Sequence, residues 1–280
     1  MAGDSRVAVL LGDIGVWGFR RAFAEWPSRI FNIGVCEQSM VGLAAGMAME
    51  GMTPIMHSIA PFVVERCYEQ LKIDLCYQAL NVNIVSVGSS YDYSALGCTH
   101  QCPGDIAVLM ALPGMEIIVP GAPAEVDRLF RQAYSDGSPT YVRLSERGNE
   151  SSRDVNLGEI LVLREGAAAT VIAVGPVLDT VLEAVQGLDV SVAYCTSLRP
   201  SDEKFLASLT TRKVVTVEPY YPGPLASQVR AAVGGRMLSV DAIGVPLRFL
   251  HNYGTATEHD LAIGMSVPQV RRRIEGFLDA

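Results

Sequence analysis

Ile30-Phe-Asn-Ile-Gly-Val-Cys-Glu37-Gln-Ser-Met-Val-Gly-Leu-Ala-Ala-Gly-Met-Ala-Met49 is the most informative part of the chain. A short run rich in apolar residues reaches Gly34, and a single carboxylate, Glu37, then stands at the head of a helix with no other charge. Small residues fill that helix: Gly42, Ala44, Ala45, Gly46 and Ala48. Burying a carboxylate without a partner disfavours its ionised form. Glu37 is therefore read as a carboxyl group that keeps or shares a proton and can hydrogen-bond a basic ring nitrogen. A competing reading makes it an N-terminal helix carboxylate, favoured by capping and by the helix dipole.

Outward from this stretch, 7–11, 30–35, 83–87, 116–119 and 140–144 read as short buried strands, with helices at 38–49, 63–77, 104–111 and 124–135. Buried strands alternating with helices predict a parallel sheet covered on both faces, an α/β fold. The charged segment from Ser145 to Asp154 reads as an interdomain linker running into a small hairpin at 160–164. The alternation restarts with strands at 169–174, 190–194, 213–217 and 237–242, helices between them, and a closing helix at 267–278. Two α/β domains with parallel sheets are expected, and 280 residues suffice for both.

Composition narrows the function. A net charge of −8 argues against nucleic-acid and anionic-membrane partners; Arg271-Arg-Arg273 reads as the solvated face of the last helix. The apolar run 7–11 is too short for a signal-peptide core, and no stretch approaches the roughly 20 apolar residues of a membrane span. Six cysteines without C-x-x-C pairs read as reduced core thiols of a cytoplasmic protein. Cys98-x-His100-x-Cys102 is too tight to close a tetrahedral zinc site, so no metal site is expected.

Phe31-Asn-Ile-Gly-Val-Cys-Glu37-Gln-Ser-Met-Val-Gly-Leu-Ala-Ala-Gly46 resembles the F(I)NVGIAEQNMVGIAAG signature of the transketolase family's pyrimidine-binding domain. Gly97-Cys-Thr-His100-Gln is similar to that family's G-P/A-T-H-Q/H segment, and Ala60-Pro-Phe62 through Gln70 to its aromatic stretch facing the cofactor. The resemblance implies a pyrimidine-binding domain at 1–148, a linker at 149–168 and a transketolase C-terminal domain at 169–280. It implies that Glu37 bonds the pyrimidine nitrogen of thiamine diphosphate and that Phe62, Ile59, Gln38 and Asp13 line the cofactor. His100 falls on the family's catalytic histidine, and an imidazole suits proton traffic near neutral pH. Without the motif it is an ordinary loop histidine.

Departures from the family concern the substrate. Enzymes acting on sugar phosphates carry a serine after strand one, a histidine at the strand end before G-P-T-H and an aspartate just before that motif. This chain has Gly15 or Val16, Gly88 and Leu96 at those places. Tyr91 and Tyr93 offer phenols instead, and Arg143 and Arg147 are the candidate partners for a phosphate or carboxylate. The expected acceptor is not a simple aldose phosphate. The family's G-D-G and asparagine, which hold the diphosphate through Mg2+ or Ca2+, are absent from the sequence. The resemblance therefore implies one half of a split transketolase, an α2β2 heterotetramer in which an N-terminal-type partner subunit carries the metal. Sugars are the implied substrates, and a two-carbon ketol unit is what is transferred. The β subunit of a 2-oxoacid dehydrogenase and a non-catalytic partner subunit remain open alternatives.

Overall fold

The computed structural model describes residues 1–280. Its first sheet takes β1 (Val7–Leu11), β2 (Ile30–Asn32), β3 (Thr53–Ile59), β4 (Asn83–Val87), β5 (Glu116–Ile118) and β6 (Thr140–Arg143). These run parallel, in the order β5-β6-β4-β3-β1-β2. Every residue of β1 is buried, as a strand covered on both faces requires. Two helices bear on the site. Helix α1 (Arg20–Glu25) is short; helix α2 (Glu37–Met49) begins one residue before the expected start and packs on β3.

Two sequence expectations need correction here. The strand at 30–35 stops at Asn32, because Gly34 adopts φ +79° and turns the chain toward α2. β3 has no counterpart in the sequence reading, yet it lies between β1 and β4 at the centre of the sheet. From Pro61 to Cys76 the chain is nearly all helix, with wide π turns at Pro61–Glu65 and Leu71–Cys76. Proline sits at its first position, where no N–H is needed.

The second sheet contains β7 (Ile160–Arg164), β8 (Ala169–Val174), β9 (Val190–Cys195), β11 (Lys213–Glu218) and β12 (Ser239–Gly244) in the order β12-β11-β8-β9-β7. β7 is an antiparallel edge strand on β9, not the expected hairpin. β10 (Ser197–Arg199) leaves this half of the chain and pairs antiparallel with β5, completing the first sheet from the other domain. Both sheets are therefore parallel except for one edge strand each. A helix at Ala256–Ile263, closed by a Thr255–Glu258 capping box, is a further element beyond the sequence reading.

The halves are joined by more than a linker. One apolar core runs from Leu10, Met40 and Tyr141 through Ile172, Val174 and Ala193 to Tyr220 and Val229. Arg199 donates to the carbonyls of Met110, Leu112 and Met115. No helix is long and apolar enough to cross a membrane.

Candidate active site

The parallel strands of the first sheet bring their carboxyl ends together, and the segments that follow β1, β2, β3 and β4 converge there. This is where open α/β sheets bind ligands. Glu37, after β2, is 1% exposed. Its two oxygens are both engaged: Ser58 Oγ donates to Oε1 at 3.0 Å, and Arg66 Nη1 donates to Oε2 at 2.8 Å. Glu37 thus has a hydroxyl and a guanidinium as its partners. Gly12, at the end of β1, leaves room on a third side, since a Cβ there would lie 3.5 Å from Oε1.

Phe62 lies one helical turn before Arg66, so both project from the same face. The Arg66 guanidinium carbon stands 4.4 Å from the Phe62 ring centre. The His100 ring lies 5.3 Å from that of Phe62, edge to face. Tyr93 meets His100 at 6.3 Å, also edge-on. Glu37, Phe62, His100 and Tyr93 thus share one cleft. His100 Nδ1 lies 3.0 Å from Thr99 Oγ1. Burial pushes the Tyr93 phenol above its ordinary range, with the charges of Glu146 and Asp92 adding to the effect.

Gly88 explains how Tyr93 enters. The glycine has φ +72°, and a Cβ would fall 2.3 Å from Tyr93 Cε2 and 3.2 Å from Ile59 Cγ2. The Tyr93 ring therefore fills the place of a side chain at position 88, over buried Ile59. His57, on β3, was not singled out in the sequence. Its Nδ1 lies 2.8 Å from the Val85 carbonyl, so the proton resides there, and its other nitrogen faces the Gly15 turn. Burial pushes its pKa down.

The other sequence candidates go elsewhere. Asp13 is exposed, and its carboxylate accepts from Asn32 Nδ2 at 2.7 Å. Gln38 is exposed and donates to the Arg66 carbonyl, so it steadies that helix instead of facing the cleft. Arg143 is 2% exposed and donates to Asp105 at 2.7 Å. Tyr91 is also buried. It bonds Asp260 and stacks on His259 across the domain boundary. Arg147 lies over Tyr91 and donates to Asp260 at 2.7 Å. His100 and Tyr93 lie in the cleft, while Tyr91, Arg143 and Arg147 line another cavity together with Asp92 and Asp260.

Two of the six thiols are not in the core as the sequence reading had them. Cys36 precedes Glu37, Cys98 lies two positions before His100, and both are exposed; Cys67, Cys102 and Cys195 are buried. No cluster of three or more His, Cys, Asp or Glu side chains is placed to hold a metal. The flank of α2 is open: Ser39, Gly42, Leu43, Gly46 and Met49 are exposed, and a Cβ at either glycine would meet nothing within 4 Å.

Residues 1–150 match the family model described as "Transketolase, pyrimidine binding domain", and residues 158–262 match "Transketolase, C-terminal domain". A protein of Rhodococcoides fascians, called an uncharacterized 33.6 kDa protein in fasciation locus, is 36% identical over 98% of this chain and 90% of its own length. A subunit of the apulose-4-phosphate transketolase of Phocaeicola vulgatus is 31% identical over 87% of this chain and 80% of its own. A solved structure described as a split gene transketolase, inactive beta4 tetramer, superposes with a TM-score of 0.86 at 27% identity, covering 99% of this chain and 93% of the other.

Proposed function

The chain belongs to the transketolase family, and on that premise we propose that it is the pyrimidine-binding subunit of a split, thiamine-diphosphate-dependent transketolase. The convergence of Glu37, Phe62 and His100 in one cleft beyond the strand ends carries this reading. The residues fit the cofactor's ring: a buried carboxyl group lies beside an aromatic face that can accept a flat heterocycle. When bound, thiamine diphosphate supplies the nucleophilic carbon and the electron sink for moving a two-carbon ketol unit from a ketose-type donor to an aldehyde.

The chain's own residues would do the following. Glu37 holds a proton at the pyrimidine nitrogen N1′, and Ser58 fixes the orientation of the carboxyl group. Phe62 supports one face of the ring and, with Ile59, excludes water. His100 moves protons at the hydroxyl and carbonyl oxygens of the substrate, and Tyr93 confines its ring to a single orientation. The diphosphate and its metal are held by an N-terminal-type partner docked along the open flank of α2, where Gly42 and Gly46 permit close helix approach. The acceptor is not a simple aldose phosphate: Arg143 and Arg147 are committed to Asp105 and Asp260, which leaves no free guanidinium from that segment.

The test is reconstitution with the diphosphate-binding half, followed by assay of ketol transfer. Glu37→Gln should lower turnover by at least about a hundredfold, the range of acid–base contributions, with no loss of assembly. An unchanged rate would sink the catalytic reading. Efficient exchange between xylulose phosphate and ribose phosphate would remove the restriction on the acceptor, and carbon dioxide release from a 2-oxoacid would replace transfer with decarboxylation.

A further inference from the structure

Arg66 lies on the two surfaces that the proposed function assigns to the cofactor's ring. One nitrogen of its guanidinium donates to Glu37 Oε2 at 2.8 Å, while the guanidinium carbon lies over the Phe62 ring, 4.4 Å from its centre. A guanidinium is planar and delocalised and stacks on aromatic faces much as a heterocycle does. We infer that Arg66 is a place-holder for the aminopyrimidine, and that cofactor binding exchanges one planar group for the other. The inference rests on the thiamine diphosphate assignment.

The side chain is built to leave. It is 41% exposed, and Glu37 and Phe62 are its contacts. The main chain at position 66 is separately held, its carbonyl accepting from Gln38 Nε2 at 3.1 Å. The side chain can therefore swing into solvent while the helix stays in place.

The exchange changes what is asked of Glu37. The guanidinium donates, so it is matched by a carboxylate. A pyridine-type ring nitrogen accepts, so Glu37 must then carry a proton. One proton moves from solvent to Glu37, and Arg66 keeps its own proton and its charge. The other groups facing Glu37 do not supply it. Ser58, on β3, already donates to Oε1, and Gly12 brings no side chain. Cys67 follows Arg66 on the same helix; burial first, and then the Glu37 charge, push its thiol up to about 12, so it stays protonated.

The experiment is calorimetric titration of thiamine diphosphate with Mg2+ into the two-subunit complex, in two buffers of different ionisation enthalpy. This yields both affinity and protons bound. The wild-type complex should take up close to one proton per site at about pH 7.5, well above the ordinary carboxylate range. Arg66→Met should bind the cofactor about tenfold more tightly and take up clearly fewer protons, because a carboxyl group buried without a cation favours its protonated form. Arg66→Lys, which keeps the charge but not the plane, should fall between them. Affinity that is unchanged or weakened in R66M, or proton uptake equal to that of wild type, would overturn the place-holder while leaving the cofactor assignment intact. Failure of the wild-type complex to bind the cofactor, or proton uptake unchanged in E37Q, would instead defeat the assignment itself.

Discussion

Gly88 and Tyr93 show how much a single residue determines in the cleft. With φ +72° and the Tyr93 ring in its side-chain space, Gly88→Ala combines a left-handed backbone penalty with a direct collision. It should cost about 1–3 kcal/mol in urea denaturation. The double variant with Tyr93→Ala should regain the steric part and keep the backbone part, so a double-mutant cycle separates them. Strict additivity of the two changes would refute the interlock. Gly88 stood out in the sequence only as a departure from a family pattern; what replaced the missing side chain was not legible. Glu37, Phe62 and His100 were legible because each sits in a short linear motif. Ser58 and Arg66 matter through Glu37, 21 and 29 residues away, and no local pattern records such a pairing. The partners of Arg143 and Arg147 were illegible for the same reason. Their carboxylates, Asp105 and Asp260, lie 38 and 113 residues distant.

At the scale of elements, strands with continuous apolar runs, such as β1 and β8, could be read directly. β3 could not, because Pro54, His57 and Ser58 interrupt its run. The three-residue β10 is shorter than any periodicity. β5 carries a titration with a clear sign. Burial first, and then the neighbouring Asp136, push the Glu116 carboxyl up to about 7 from 4.5. The folded chain thus binds this proton more tightly than the unfolded chain does. Its contribution to stability is complete below about pH 4.5 and is lost as pH rises through about 7. Glu116 is half-exposed, so solvent screening reduces the effect to about 1 kcal/mol. Glu116→Gln should therefore gain stability relative to wild type at about pH 8 compared with about pH 5, as read from denaturation midpoints. A difference independent of pH would refute the account.

For the whole molecule, the two sheets share a core, and β10 belongs to one domain by sequence and the other by pairing. Between them lies the buried Arg143–Asp105 pair, with the guanidinium also facing Tyr220 at 5.5 Å. Such a junction predicts one calorimetric unfolding transition, not two. Asp105→Asn leaves a buried guanidinium without its counter-charge and should lower stability by about 3–5 kcal/mol. It should move the whole transition as a unit. Two resolved peaks, in either protein, would show that the halves melt independently.

The placement of the thiols gives the mouth of the cleft a chemical handle. An electrophile entering from solvent meets Cys98 or Cys36, each within two positions of His100 or Glu37, while Cys67, Cys102 and Cys195 are shielded in the interior. An adduct at either thiol would crowd the working group beside it in the chain, so alkylation there doubles as a gauge of whether the entrance has been covered.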